Sequence, residues 1–379
     1  MGKWSLRLIF ILVVVVGLPP MEVGAEPAKI VWVDTAGGAN FQEFHNTWTI
    51  PEAKRILPFR VEYVVSRGAE MIERLKAWKP GEGDLHVILF KPDSFVGALE
   101  AKIPMELLLP NSAIPNATKI PLADLAMVLG THTEGKGLQF WRDQFGFIYN
   151  KKFIEDPPTS FKEFFERRSE WRGHIGMIRT DAKSGGGRIF MYDFLRAFGV
   201  DWTKPFGEIT KSPEWSNAIA RFGEFSRALY KPLAGEPPIL FEQFMKEDAW
   251  ITEYAIDFCL WSRDRGRLPE TIAASYGSEG NYGGNSLLVV PAHIPGECKL
   301  AAFEFVNWLL SDHIQLTMFT TMWEYPGTEI WGIVPPAVWG HVPRMEDLNR
   351  KALENGKGYR WIKQNGMGVL KENLNISHQ

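Results

Sequence analysis

The sequence predicts an α/β fold spread over about two domains. Three observations point there. The chain has 379 residues, more than one ordinary domain needs. Short apolar runs alternate with stretches of helical periodicity through its first third. A second series of strand-like and helical segments opens near residue 140.

The first 25 residues read as an export signal rather than as structure. Lys3 and Arg7 precede an apolar run from Leu8 to Leu18, and Val23-Gly24-Ala25 places small residues where a signal peptidase cuts. The run is too short to span a bilayer, which takes about 20 residues. Without it, 354 of the 379 residues remain. Setting aside Lys3, Arg7 and Glu22 leaves 40 of the 42 basic and 44 of the 45 acidic side chains. That balance excludes the basic face a nucleic-acid binder needs. Export permits a disulfide between Cys259 and Cys298, although two separate buried thiols fit equally well. The 15 Trp and 25 Phe are expected mainly in core and hinge packing, with a few left for a ligand.

In chain order, Ile30-Val31-Trp32-Val33 is a strand ending in the turn Asp34 to Gly38. A helical region from about Asn40 to Leu57 is expected to break at Pro51. Val61 to Val65 is a second strand. Met71, Leu75 and Trp78 mark the apolar stripe of a helix, and Leu85 to Phe90 is a third strand. Such alternation implies parallel pairing with right-handed crossovers and a ligand site beyond the carboxyl ends of the strands. The loops at Asp34 to Gly38 and Lys91 to Ser94 are therefore cleft candidates.

Later, Gln144 to Asn150 reads as a strand, and Asp156-Pro157-Pro158-Thr159-Ser160 starts a helix at Phe161. His174 to Ile178 is strand-like. It leads into Ser184-Gly185-Gly186-Gly187-Arg188 and a helix from Ile189 to Phe198, whose first-turn N–H groups could cradle a polar or anionic group. A flexible connection fits the glycines equally well. Ala249 to Tyr254 is a strand followed by a helix ending near Gly266, Ser286 to Val290 is another strand, and Lys299 to Leu310 is an apolar helix.

Catalytic motifs are scarce. Gly130 to Gly137 nearly spells a phosphate-binding loop but has Gly137 where Ser or Thr must hold magnesium, and a strand follows where a helix is required. The eight histidines form no H-E-x-x-H, there is no C-x-x-C, and no G-x-S-x-G elbow presents a serine. No cofactor is expected.

Several segments, in order, resemble the family 1 extracellular solute-binding proteins of ABC importers, nearest the branch of polyamine, iron and thiamine binders. They are the signal segment, Val31-Trp32-Val33 with its Gly-Gly loop, Gly146-Phe147-Ile148-Tyr149-Asn150-Lys151, Pro157-Pro158-Thr159-Ser160-Phe161, Asp248-Ala249-Trp250-Ile251, Gly284 to Ala292 and the helix around Ala301 to Ser311. The resemblance implies a type II periplasmic-binding-protein fold, two α/β lobes joined by crossing hinge strands. Lobe one would be 26–139 plus 275–322, and lobe two 140–274 plus 323–379. It further implies a periplasmic monomer that captures a small solute by hinge closure and delivers it to a membrane permease, without catalysis.

Under that resemblance, Thr35, Gly37, Gly38, Lys91 and Asp93 would line the cleft from lobe one. Ser184, Gly185, Gly186, Arg188, Trp250, Glu253 and Tyr254 would do so from lobe two, with Asn281, Tyr282 and Asn285 at the return crossing. Glu253 and Asp93 with the rings of Trp250 and Tyr282 suit a cation such as a polyamine, whereas Arg188 and the glycine run suit an anion. The adjacent tyrosines common in iron binders are missing. Two other classes stay open: an exported hydrolase or lyase acting on glycans, suggested by export and the Trp content, and a sensory binding protein that feeds no importer.

Overall fold

The computed structural model describes residues 29–121 and 125–344 and, near the C-terminus, residues 358, 360–362, 364, 365 and 368. The signal segment, residues 1–25, and most of the polar tail lie outside the described residues.

The first half builds the parallel sheet that the strand–helix alternation predicts. Strands β1 (Lys29–Asp34), β2 (Arg60–Val65) and β3 (Val87–Phe90) pair in parallel in the order β2-β1-β3. Helices α1 (Ala39–Phe44) and α2 (Ile50–Ile56) lie between β1 and β2, α3 (Gly68–Lys76) precedes β3, and α4 (Pro92–Glu100) follows it. Pro51 does not end the helical region. It sits in the first turn of α2, just after a π-helical turn at His45–Thr49. The wider turn accommodates a ring that offers no N–H to the preceding turn. A two-residue hairpin, β4 (Met127–Val128) and β5 (Thr131–His132), occupies the near-miss phosphate loop, with Gly130, Glu134 and Gly135 at positive φ.

A 13-residue strand, β6 (Leu138–Asn150), then leaves this sheet and enters a second one. Helices α5 (Phe161–Glu166), α6 (Gly186–Ala197), α7 (Phe206–Ile209), α8 (Pro213–Ser226) and α9 (Pro237–Met245) follow. Ser160 and Ser212 cap α5 and α8 by accepting N–H bonds from Glu163 and Trp215, which explains where those helices start. Strand β7 (Ile251–Ala255), helix α10 (Ile256–Asp264) and strand β8 (Ile272–Ser275) come next. The segment from His174 to Ile178 makes isolated bridges from Ile175 and Ile178 rather than a continuous strand. The chain returns through β9 (Gly283–Val289), helices α11 (Gly296–Leu309) and α12 (Asp312–Met322) and the short β10 (Tyr325–Pro326).

The register of β6 divides it between two bodies. Residues 138–144 pair antiparallel with β9, which itself pairs with β3. Residues 145–149 pair with β7 on one edge and 147–150 with β8 on the other. The hydrophobic core divides in the same way. Ile30, Trp32, Val87, Leu89 and Leu288 form one face of the first sheet's core with α11 and α12, and Val33, Ile88, Phe90, Leu287 and Val289 form the other with α3 and α4. That alternation is the two-residue period of a sheet buried on both faces. A separate core gathers Phe147, Phe161, Phe164, Phe190, Phe194 and Phe225 from the second body. Each such wholly buried apolar side chain is worth about 1.5–3 kcal/mol. Cys259 belongs to the second core and Cys298 packs against the first, and both are free thiols.

Candidate functional site

The loop at the end of β1 is organised by a buried carboxylate. Asp34 Oδ1 accepts the N–H groups of Ala36 and Gly37 at 2.7 Å each, and Asp34 Oδ2 accepts the Tyr63 hydroxyl at 2.7 Å. Burial pushes the Asp34 carboxyl up, and these donors pull it back. A Cβ on Gly37 would sit 2.3 Å from Asp34 Oδ2, so glycine is required by the turn itself. Thr35 donates both its N–H and its hydroxyl to the Leu89 carbonyl, tying the ends of β1 and β3 together. Thr35 and Gly37 thus hold the loop that presents Ala36, Gly38 and Asn40.

Packing also sets the glycine run at the start of α6. Gly185 is the N-cap at φ 82°. A Cβ on Gly186 would lie 2.5 Å from the Tyr254 ring, and one on Gly187 would lie 2.0 Å from the Ile178 carbonyl oxygen. The run lets α6 press against β7 and the adjoining backbone. Arg188 Nη1 donates to the carbonyls of Thr180 and Ala182, both at 2.8 Å. Through these bonds the arginine pins its own loop.

Between the two bodies lies a cavity of about 440 Å³, within the range of small-molecule sites. Ala36, Gly38, Asn40, Phe41, Lys91, Pro92 and Asp93 border it from one side. Lys183, Ser184, Glu236, Tyr254, Asp257 and Phe258 border it from the other, and Asp143, Phe145 and Tyr282 come from the crossing strand and the return. Of the fifteen residues singled out from sequence, it gathers Gly38, Lys91, Asp93, Ser184, Tyr254 and Tyr282. The Phe145 ring meets the rings of Tyr254 and Tyr282 edge-on at 5.6 and 5.9 Å, and Phe41 stacks on Trp141 at 4.0 Å.

Four carboxylates, Asp93, Asp143, Glu236 and Asp257, border the cavity together with two lysines, Lys91 and Lys183. Asp143 accepts the Trp141 Nε1–H at 3.2 Å, and Asp257 accepts Asn40 Nδ2 at 2.9 Å across the gap. Burial, reinforced by Asp257 and Asp34 and opposed by Lys91 and Trp141, pushes the Asp143 carboxyl up to about 7. Burial raises Asp257 as well, against its bonds to Glu324, the helix N–H groups and Asn40. Among the described residues, no three His, Cys, Asp or Glu side chains are placed to hold a metal ion.

Nine of the fifteen do not border the cavity: Thr35, Gly37, Gly185, Gly186 and Arg188, which shape the loops beside it, and four more that lie elsewhere. Trp250 is four positions before Tyr254, the nearest cavity residue on β7, about 13 Å of extended chain away. It is stacked between His174 at 3.7 Å and Phe153 at 4.6 Å. Glu253 and Tyr254 are neighbours on β7, so their side chains leave opposite faces. Tyr254 reaches the cavity, whereas Glu253 is buried beside Asp193 and accepts Asn281 Nδ2 at 2.8 Å. Asn281 also accepts the Gly277 N–H, and Asn285 is buried opposite Arg142 in the β6–β9 ladder. Asn281 and Asn285 serve the crossing rather than the gap. Conversely, Asn40, Asp143 and Asp257 escaped the sequence reading. Asp143 was detectable as a charge inside an apolar strand. Asp257 follows the end of β7, where the rule applied to β1 and β3 would have found it.

No curated protein sequence matches the chain. The profile of the family described as "bacterial extracellular solute-binding protein" matches residues 52–329. Among solved structures, an ABC transporter protein from Clostridium perfringens superposes with a TM-score of 0.65 at 16% identity, covering 91% of this chain and all of the other. A spermidine/putrescine ABC transporter substrate-binding protein from Streptococcus pneumoniae gives 0.64 at 12% identity, with 90% and 98% covered. A ferric binding protein from Campylobacter jejuni gives 0.60 at 13%, with 89% and 98% covered. These likenesses establish the two-lobed α/β fold. Among the described residues, no helix is long and apolar enough to cross a membrane. With its profile match spanning most of the sequence, the chain belongs to the family of bacterial extracellular solute-binding proteins.

Proposed function

We propose that the chain captures a small organic cation in the gap between its lobes and delivers it to the permease of an ABC importer. The observation that carries this reading is the cavity itself, bordered from both lobes by four carboxylates and by the rings of Phe41, Phe145, Tyr254, Phe258 and Tyr282. Carboxylates offset the charge of a cation, and each ring face adds about 0.5–2 kcal/mol. A solute touching both lobes stabilises the closed arrangement and shifts the population toward it. Export after Ala25, the lobe boundaries 26–139 plus 275–322 and 140–274 plus 323–379, and the absence of turnover belong to the same reading. The family match and the relatives titled as transporter components support it.

Calorimetric titration of the mature chain tests it, using putrescine, spermidine, thiamine, choline, maltose, citrate and ferric citrate. The expected result is one-to-one binding of a cation, weakened at least tenfold by Tyr282→Ala, with the solute recovered unchanged. Conversion of the solute, or affinity indifferent to Tyr282→Ala, refutes the reading.

A further inference from the structure

Behind the floor of the gap sits a third acid that the capture of a solute does not itself explain. Glu324, between α12 and β10, is wholly buried, and neither of its carboxylate oxygens meets a hydrogen-bond donor. Its neighbour is Asp257, itself an acceptor, with Asp143 close by. Adjacent buried carboxylates resist ionising together, because the charge on either one raises the other's carboxyl. Burial and the charges of Asp257 and Asp143 push Glu324 well above the carboxylate range, so the proton resides there. Asp143, Asp257 and Glu324 come from β6, the start of α10 and the end of α12, three elements that meet at the crossing between the lobes.

We propose that an ammonium or guanidinium group of the solute seats on Asp143 and Asp257, and that seating it expels a proton from the Asp143–Asp257–Glu324 cluster. This rests on the reading of the gap as the solute site. The step is a plain exchange. A carboxyl O–H bond breaks, its proton leaves to water, and the vacated carboxylate accepts an N–H of the solute. The groups facing Asp143 are Asp257 on α10, Lys91, Asp34 at the end of β1, Glu324, and the Trp141 Nε1–H from its own strand. Asn40 faces Asp257 from α1, and Lys183, Glu236 and Asp93 border the remainder of the cavity. Lys91 lowers the Asp143 carboxyl from an exposed position, so the cavity keeps an acidic character that a bound cation would complete.

The sign follows from linkage. A cation on the floor favours the deprotonated cluster, so affinity rises with pH and binding releases protons. With the free carboxyl titrating at about 7, the apparent Kd scales as 1 + 10^(pKa − pH) and rises about tenfold from pH 8 to pH 6.

The test is calorimetry of the strongest cationic binder among putrescine, spermidine, thiamine and choline, in phosphate and in Tris at pH 7. Their different ionisation enthalpies convert proton release into a buffer-dependent heat. The expected result is release of a substantial fraction of one proton and the tenfold pH dependence, both abolished by Asp143→Asn. Glu324→Gln, which mimics the protonated acid, should retain both the fold and the proton release, because the carboxyl vacated is that of Asp143. Circular dichroism and thermal unfolding confirm that both variants fold. Heats independent of buffer, or proton release surviving Asp143→Asn, overturn the exchange. Binding of maltose or citrate in preference to every cation overturns the cationic subsite and leaves the solute-binding reading standing. Failure of every probe to bind overturns both.

Discussion

Glu253→Gln should stabilise the protein increasingly as pH rises, and the reason lies in a pair of oxygens. Glu253 Oε2 and Asp193 Oδ1 are both buried and both lack a hydrogen-bond donor. The two side chains hydrogen-bond to each other, which takes one shared proton. Asp193 also accepts the Tyr282 N–H and lies 3.5 Å from Arg196, so the negative charge stays on Asp193 and the proton on Glu253. Burial, with the charge of Asp193, raises Glu253 well above its ordinary 4.5. Above that ordinary value the unfolded chain has lost the proton and the folded chain still holds it. Folding then becomes less favourable by about 1.4 kcal/mol per pH unit until the folded group also titrates. Stability from this site is greatest near pH 4.5 and is lost as pH rises. Glutamine keeps both contacts, its carbonyl accepting Asn281 Nδ2 and its amide donating to Asp193, and it carries no proton to lose. Urea unfolding of both proteins at pH 5, 6 and 7 should show a small difference at pH 5. By pH 7 the advantage of the variant should have grown, at up to about 1.4 kcal/mol per pH unit for as long as the folded acid keeps its proton. A difference that does not change with pH, or a variant less stable throughout, refutes the shared proton.

Three further outcomes are expected. Gly187→Ala, whose Cβ would lie 2.0 Å from the Ile178 carbonyl, should cost about 1–3 kcal/mol in thermal or denaturant unfolding, because backbone rather than a mobile side chain stands in the way. Trp250→Ala should cost about 1–3 kcal/mol from lost stacking on His174 and Phe153 while leaving solute affinity unchanged by titration, the reverse of what its place in the sequence suggests. A thiol reagent should modify Cys298 in the native protein and Cys259 only after denaturation, and non-reducing electrophoresis should show no internal cross-link.

The strand–helix alternation of β1, β2 and β3 by itself determined their parallel pairing, because a crossover between parallel strands admits one hand. The antiparallel entry of β9 into the sheet was not readable from its apolar run. The loops at Gly38 and Lys91 followed from the parallel pairing, since the carboxyl ends of parallel strands share an edge. Tertiary structure alone decided which side chains enter the gap. On β7 consecutive positions put Glu253 beside Asp193 and Tyr254 in the cavity wall. That choice depends on which face of a twisted strand meets which lobe. It was also invisible in the sequence that Asn40 would reach Asp257, 217 positions away, or that Glu324 would stand behind both. Local patterns report what a segment buries. They carry no record of the partner that a crossing strand brings to it.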